Sequence, residues 1–440
     1  MLYHSINNSK NLVSFENAVL NGISPDGSLY IPQYIPKLNI LSNKKFFDRD
    51  DNLIALSVIK PYLGKDITDN CIFNIIDNTL KFPFPIKKIH DNIYTLELFH
   101  GPTLAFKDVG AKFMAEYLNF ISNKIGKKIT VLVATSGDTG GAVAKAFYKK
   151  KGIEVIILYP RNGISSLQEK QISSLGHNIL SLEIDGNFDN CQYIVKKSFL
   201  DKEIKKKYIL TSANSINIAR LLPQMFYYFI SYKNIIKKIK DISELVFSVP
   251  SGNFGNICAG MMAEKMGLPI KFFIASTNIN DTIPRFLSTN KYDPMVTKKT
   301  ISNAMDISNP SNFPRIWNFL YKKNFIQIKK KLYSYSFTDS ETLSTIIDVY
   351  NNYKYIMDPH GAIGYLGISR HSNKKLKSSC IYIFLETAHP FKFLENMPCS
   401  IRKNISKNKN IMEMLNNRKI KKISIKNNFD QFKSWLLENK

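Results

Sequence analysis

Apolar residues in this chain follow two rhythms that take turns. Short unbroken runs rich in β-branched and aromatic residues read as strands buried on both faces. They are "ITVLVAT" (Ile129–Thr135), "VIILY" (Val155–Tyr159), "NILSLEI" (Asn178–Ile184), "ELVFSV" (Glu244–Val249), "IKFFIAS" (Ile270–Ser276) and "CIYIFLET" (Cys380–Thr387). Between them lie helical patterns such as "AVAKAFYKK", "SSLQEKQISSLG", "FDNCQYIVKKSFL" and "ICAGMMAEKMG". Strands alternating with helices predict an α/β fold of parallel sheets covered on both faces.

The alternation does not begin at once. Residues 1–85 mix short helical patterns ("SFENAVLNGI", "DNLIALSVIKPYL") with turn signals such as Ser24-Pro25-Asp26-Gly27, and "FPFP" at Phe82–Pro85 marks a junction. The composition thus divides the chain into an N-terminal domain (1–85), an α/β body (86–400) and a polar, Lys/Asn-rich extension (401–440) that is helical in "FDQFKSWLLEN". No internal repeat is visible.

The chain carries 61 Lys+Arg against 35 Asp+Glu, a formal charge of +26. A basic nucleic-acid-binding protein is one reading. Against it, the surplus is mostly lysine scattered among Asn and Ile, whereas bidentate base reading favours arginine. A positive field also draws in anionic substrates. The five cysteines form no close pair and no C-x-x-C, which fits free thiols in a reducing compartment. The histidines make no zinc-type spacing, so no metal site is predicted. No apolar run approaches the ~18 residues of a membrane helix, and the N-terminus lacks a signal-peptide layout. A cytoplasmic protein with no membrane or nucleic-acid partner is expected.

Two strand–turn–helix units carry the candidate chemistry. In "SVPSGNFGNICAG", Gly252 and Gly255 let backbone approach a ligand at a helix N-terminus, an arrangement suited to phosphate; a glycine turn merely closing a βα unit is an equal alternative. "VATSGDTGGAVA" adds the hydroxyls of Thr135, Ser136 and Thr139 beside the amides of Gly137 and Gly140, which suits a carboxylate. Helix capping by Ser136 or Asp138 accounts for one polar residue there, not for the cluster. "TSANSINIARLLPQ" gathers Asn214, Ser215 and Asn217 ahead of Arg220, a second oxyanion set or, on spacing alone, a cap with a surface arginine. His100, His360 and His389 read as structural histidines. In "HGPTLAFKDVGAKFMAEYL", Lys107 follows an apolar run at the start of a helix whose apolar face carries Phe113, Met114, Tyr117 and Leu118. Such a lysine becomes a nucleophile when its pKa falls, and a phosphate cradle elsewhere points to an aldehyde bearing a phosphate: pyridoxal phosphate held as a Schiff base.

These motifs, with "VSFENAVLNGISPDGSLYIP", "SLQEK", "TNINDTIPRFL", "NAMDISNPSNFPR", "DPHGAIGY" and "TAHPFKF" in this order, closely resemble the threonine synthase family, of the bacterial and fungal class with a long N-terminal region. The resemblance runs nearly end to end. It implies fold type II, tryptophan synthase β-like, with two parallel-sheet lobes and an extra N-terminal domain. It further implies pyridoxal 5'-phosphate on Lys107, with the cofactor phosphate held by Gly252, Asn253, Phe254, Gly255 and Asn256. Asp138 then faces the ring hydroxyl through a shared proton, and Thr387 meets the pyridine nitrogen. Ser136 and Thr139 take the substrate carboxylate, and Asn214, Ser215 and Arg220 the substrate phosphate. The implied reaction turns O-phospho-L-homoserine and water into L-threonine and phosphate, in a monomer. A threonine or serine dehydratase of the same fold is the nearest rival and needs no second phosphate set; a phospho-lyase of this fold is a further alternative. Three positions depart from the family: Glu386 where a small residue is expected, Phe391 for alanine, and Asn256 for aspartate. An acid at 386 aimed at the ring would raise the pyridine nitrogen's pKa.

Overall fold

The computed structural model describes residues 1–40, 45–239, 244–375, 380–405 and 419–438. Ile129–Ala134, Ile153–Pro160 and Ile179–Asp185 are strands where the apolar runs foretold them, and Ile209–Ser212 is a strand the runs did not announce. They pair in parallel in a five-stranded sheet whose central members are buried along their whole length. A six-stranded sheet runs Leu332–Ser336, Phe272–Thr277, Glu244–Pro250, Cys380–Glu386, Ile93–Glu97, Ile86–His90. Its pairs are parallel except the last, where Ile86–His90 returns antiparallel on Ile93–Glu97.

The N-terminal region folds as a three-stranded antiparallel sheet (Asn8–Val13, Tyr3–Ser5, Tyr30–Pro32) with the helices Phe15–Asn21, Asp51–Leu63 and Asp69–Thr79. It does not keep a core of its own. Phe15 packs edge-on against Tyr117 at 4.9 Å, and one continuous apolar cluster runs from Tyr3 and Ile54 through Phe113 and Val131 to Phe226 and Phe273.

The C-terminal segment is less detached than its composition predicts. Ile423–Lys426 extends the five-stranded sheet as a parallel edge strand on Ile179–Asp185. The helix Phe429–Glu438 then buries Phe429, Phe432 and Leu436 beside Leu182 and Ile194. Polar residues dominate this stretch because only one face of each element is covered. Residues 406–418 and 439–440 of the predicted extension lie outside the described residues.

The two sheets present the carboxyl ends of their central strands to one another, where α/β proteins collect ligands. Ile129–Ala134 leads into the helix Asp138–Phe147, Glu244–Pro250 into the helix Gly255–Met266, and Ile209–Ser212 into Ile218–Leu221. Cys380–Glu386 ends at Thr387.

Candidate active site

Lys107 opens the helix Lys107–Ile125 and lines a cleft of about 950 Å³, its open mouth included. The turn before it is locked from below: Asp108 accepts from the Thr103 hydroxyl at 2.5 Å and from its amide at 2.9 Å, and the Phe106 amide donates to the Thr387 carbonyl at 2.8 Å. Lys107 is half-buried and lines the cleft. Burial pulls its ammonium down to about 8, helped by the cations Lys392 and Arg220 and opposed by Asp138. A sizeable share of neutral amine is therefore present near neutral pH, as a nucleophile requires.

Asp138 is held in an unforeseen way. Its Oδ1 lies 2.7 Å from Lys392 Nζ and accepts from Gln168 Nε2 at 3.0 Å, and both charged side chains are almost wholly buried. Burial alone would raise its pKa; Lys392 and Lys107 instead hold the carboxylate well below its ordinary range. The side chain is turned to these partners and is not part of the cleft wall. Lys392 thus supplies the charge compensation for which a shared proton was expected. It was overlooked although it shows the signal that singled out Lys107, a lysine set among apolar residues, here Phe391 and Phe393.

The glycine loop is shaped as a cradle. A Cβ on Gly252 would meet the Ala304 carbonyl at 2.8 Å, so only glycine lets this loop lie against Ala304 and Met305. Phe254 takes a left-handed φ of 58° to turn the chain into its helix. Tyr228 donates to Asn256 Oδ1 at 2.5 Å, which leaves Asn256 Nδ2 buried without a protein partner. Asn253 spends its side-chain oxygen on Ser311 at 2.7 Å, so it offers the cleft mainly backbone. An orphaned amide donor at a helix N-terminus, beside an amine with a lowered pKa, fits a phosphorylated aldehyde.

Ser136, Thr139, Asn214, Ser215, Arg220 and Thr387 all line the same cleft. Thr135 uses its hydroxyl to hold the amides of Gly137 (3.0 Å) and Gly140 (2.8 Å), which shapes the loop that presents Ser136 and Thr139. Asn214 clamps the end of its neighbouring strand, donating to the Ala134 carbonyl at 2.7 Å. Arg220 binds the Ala213 carbonyl with Nη1 and keeps Nε buried without a partner; burial lowers it to about 10, so it remains a cation. Behind this wall Arg315, also buried, donates to the carbonyls of Tyr30 (3.0 Å) and Ile216 (2.7 Å) and to Asn312 Oδ1 (2.5 Å). Asn312 in turn donates to the Ser215 hydroxyl at 3.1 Å.

Glu386 does not reach the cleft. Its Oε2 accepts from the Asp358 amide at 3.1 Å, and its other oxygen lies over Gly361. Phe391 is likewise buried in an apolar cluster, away from the cleft.

Two lobes with a lysine and a phosphate cradle at the cleft between them define a pyridoxal-phosphate enzyme of fold type II. The family model described as pyridoxal-phosphate dependent enzyme matches residues 78–385, and that described as threonine synthase N terminus matches residues 2–80. The chain belongs to the threonine synthase family, and its cofactor is pyridoxal 5'-phosphate. It is 44% identical over 397 residues to the threonine synthase of Haemophilus influenzae, covering 90% of either chain. The crystal structure of threonine synthase from Escherichia coli superposes with a TM-score of 0.91 at 37% identity over 100% of both chains. The pyridoxal-phosphate-bound threonine synthase of Brucella melitensis does so with a TM-score of 0.86 at 30% identity, over 100% of this chain and 99% of that one.

Proposed function

We propose that the protein converts O-phospho-L-homoserine and water into L-threonine and phosphate, with Lys107 as the proton-transferring base. The observation that carries this reading is a second oxyanion set, Arg220 with Ser215 and Asn214, on the same cleft as Lys107 and the Gly252–Asn256 cradle. A dehydratase has one phosphate to hold, that of its cofactor; this cleft has donors for two.

Bound pyridoxal phosphate supplies an electron sink that acidifies the protons at Cα and Cβ of the substrate. The cradle amides and Asn256 Nδ2 would hold its phosphate, and Thr387 would meet its ring nitrogen. Ser136, Thr139 and the N-terminus of the helix Asp138–Phe147 orient the substrate carboxylate. Lys107 Nζ, as the free amine, would take the Cα proton and, once it has released that proton, a Cβ proton. Arg220 and Ser215 hold the phosphate as it leaves Cγ with the C–O bonding pair. Lys107 gives a proton to Cγ, water adds its hydroxyl at Cβ while its remaining proton goes to the departed phosphate, and Lys107 returns a proton to Cα.

The same reading takes the protein as a cytoplasmic monomer without a nucleic-acid partner. In support, Cys71, Cys191, Cys258, Cys380 and Cys399 are all free, and no helix among the described residues is long and apolar enough to cross a membrane.

The deciding assay mixes protein, pyridoxal phosphate and O-phosphohomoserine and measures threonine and phosphate. Equimolar products, abolished in Lys107→Ala, are expected. Phosphate with 2-oxobutanoate and no threonine would make the protein a phospho-lyase instead.

A further inference from the structure

His360 read as a structural histidine in the sequence, yet it stands on the wall of the cofactor cleft and is 2% exposed. Its Nδ1 lies 2.7 Å from Asp358 Oδ1, which also accepts its backbone amide at 2.8 Å. Burial would push Asp358 up, but His360 holds it below the ordinary carboxylate range, so it is an ionised acceptor and Nδ1 must carry a proton. The remaining nitrogen, Nε2, is buried and has no protein partner. Phe393 packs edge-on at 5.0 Å and fixes the plane of the ring. No cluster of three ligating side chains exists among the described residues, so this is not the donor set of a metal.

The second oxygen of Asp358 accepts from the amide of Ala388 at 3.3 Å, and Ala388 directly follows Thr387. One carboxylate therefore holds His360 and Thr387 together as a unit on the same wall. Behind it, Glu386 Oε2 accepts from the Asp358 amide, and burial together with the Asp358 charge pushes Glu386 well above the ordinary carboxyl range, so Glu386 stays neutral. A Cβ on Gly361 would come within 1.9 Å of Glu386 Oε1, so the glycine makes room for this acid.

We propose that His360 is a further cofactor-facing residue of this site, presenting Nε2 to the pyridine-nitrogen side of bound pyridoxal phosphate beside Thr387, with Asp358 and Glu386 as the positioning residues behind it. The proposal rests on the reading of Thr387 as the ring-nitrogen partner. It gives the departure at 386 a use: the acid seats Asp358 and does not touch the ring. A polar atom at that edge tunes how strongly the ring withdraws electrons, and so acts on turnover more than on substrate binding.

The test compares holoenzymes of the wild type, His360→Gln, His360→Leu and Asp358→Asn by the absorbance and circular dichroism of the bound cofactor, together with kcat and KM. His360→Leu is expected to shift the cofactor band and lower kcat about tenfold, with KM for O-phosphohomoserine changed less than twofold. His360→Gln, which keeps a polar atom there, should restore part of both. Asp358→Asn preserves shape and should reproduce the spectral change even if His360→Leu fails to fold. Wild-type spectra and kcat in Asp358→Asn and in any folded His360 variant, with only a lowered Tm, would overturn the proposal. A wild-type protein that takes up no cofactor would instead sink the reading on which it rests.

Discussion

Lys392 Nζ sits 2.7 Å from Asp138 Oδ1, and this buried contact joins the two lobes across the floor of the site. Lys392 follows the central strand Cys380–Glu386 of one sheet; Asp138 begins the helix after Ile129–Ala134 in the other. Lys392 also donates to the Thr103 carbonyl at 3.0 Å, in the turn that carries Lys107. Two lobes and the turn that carries Lys107 are thus linked through one ammonium.

The pair sets the proton equilibrium of Lys107. Only the neutral amine condenses with an aldehyde, so cofactor uptake by the apoprotein should quicken with rising pH through about 8 and level off above it. Lys392→Met removes a cation that lowers Lys107 and frees Asp138 to hold the ammonium, which moves the midpoint to higher pH. Asp138→Asn removes the one group that raises it and leaves Lys392 unpaired, which moves the midpoint to lower pH. Shifts of about one pH unit each are expected. Rapid-mixing absorbance measures them; movement of both variants in the same direction would refute the electrostatic account.

Arg220→Ala should raise KM for O-phosphohomoserine roughly 30- to 150-fold, the worth of a lost charge-assisted hydrogen bond of about 2–3 kcal/mol. The cofactor spectrum should not change. Gly110→Ala tests the same residue from behind. A Cβ there would meet the Arg220 carbonyl at 2.8 Å and Nε at 3.2 Å. It should push Arg220 from its place and raise KM about tenfold. Unaltered KM in both variants would remove Arg220 from the substrate site.

Arg315 staples the N-terminal domain to the loop that carries Ser215, through Tyr30, Ser215, Ile216 and Asn312. Burial lowers it to about 10, so it stays charged inside the protein. Arg315→Met leaves buried carbonyls unpaired and should cost about 3–5 kcal/mol, a Tm lower by about 3–5 °C in a chain of this size. KM should rise as well, because Ser215 loses its support. Calorimetry and kinetics on one preparation check both; a stability loss with KM intact would confine Arg315 to holding the domains.

Ending the chain at residue 418 removes the edge strand Ile423–Lys426 and the buried Phe429, Phe432 and Leu436. At about 1.5–3 kcal/mol per buried side chain, the loss is a large part of a domain's net stability. It also frees the edge of Ile179–Asp185 for pairing with other chains. A lower Tm and concentration-dependent aggregation are expected by light scattering. A truncated protein as stable and soluble as the full chain would show that this segment is only peripheral.

Local features were legible. The runs at Ile129 and Glu244 are strands because helices cover both sheet faces, and such strands need no polar positions. Lys107 at a helix start, and the glycine turns at 137 and 252, announced themselves by turn chemistry. The strand Ile423–Lys426 did not, since "ISIK" buries Ile425 alone and an edge strand leaves its pattern mostly polar.

The amino-acid sequence by itself determined the α/β alternation, the lysine at a helix start and the family, because periodicity and turn residues act within a few positions of one another. Tertiary structure alone decided where the charges end. It set Lys392 against Asp138, turned Glu386 away from the cleft, and left Nε2 of the cleft-lining His360 buried without a protein partner. Each outcome depends on distances between segments far apart along the chain. Coulomb and hydrogen-bond energies fall off within ångströms, so only the folded arrangement brings those partners within reach.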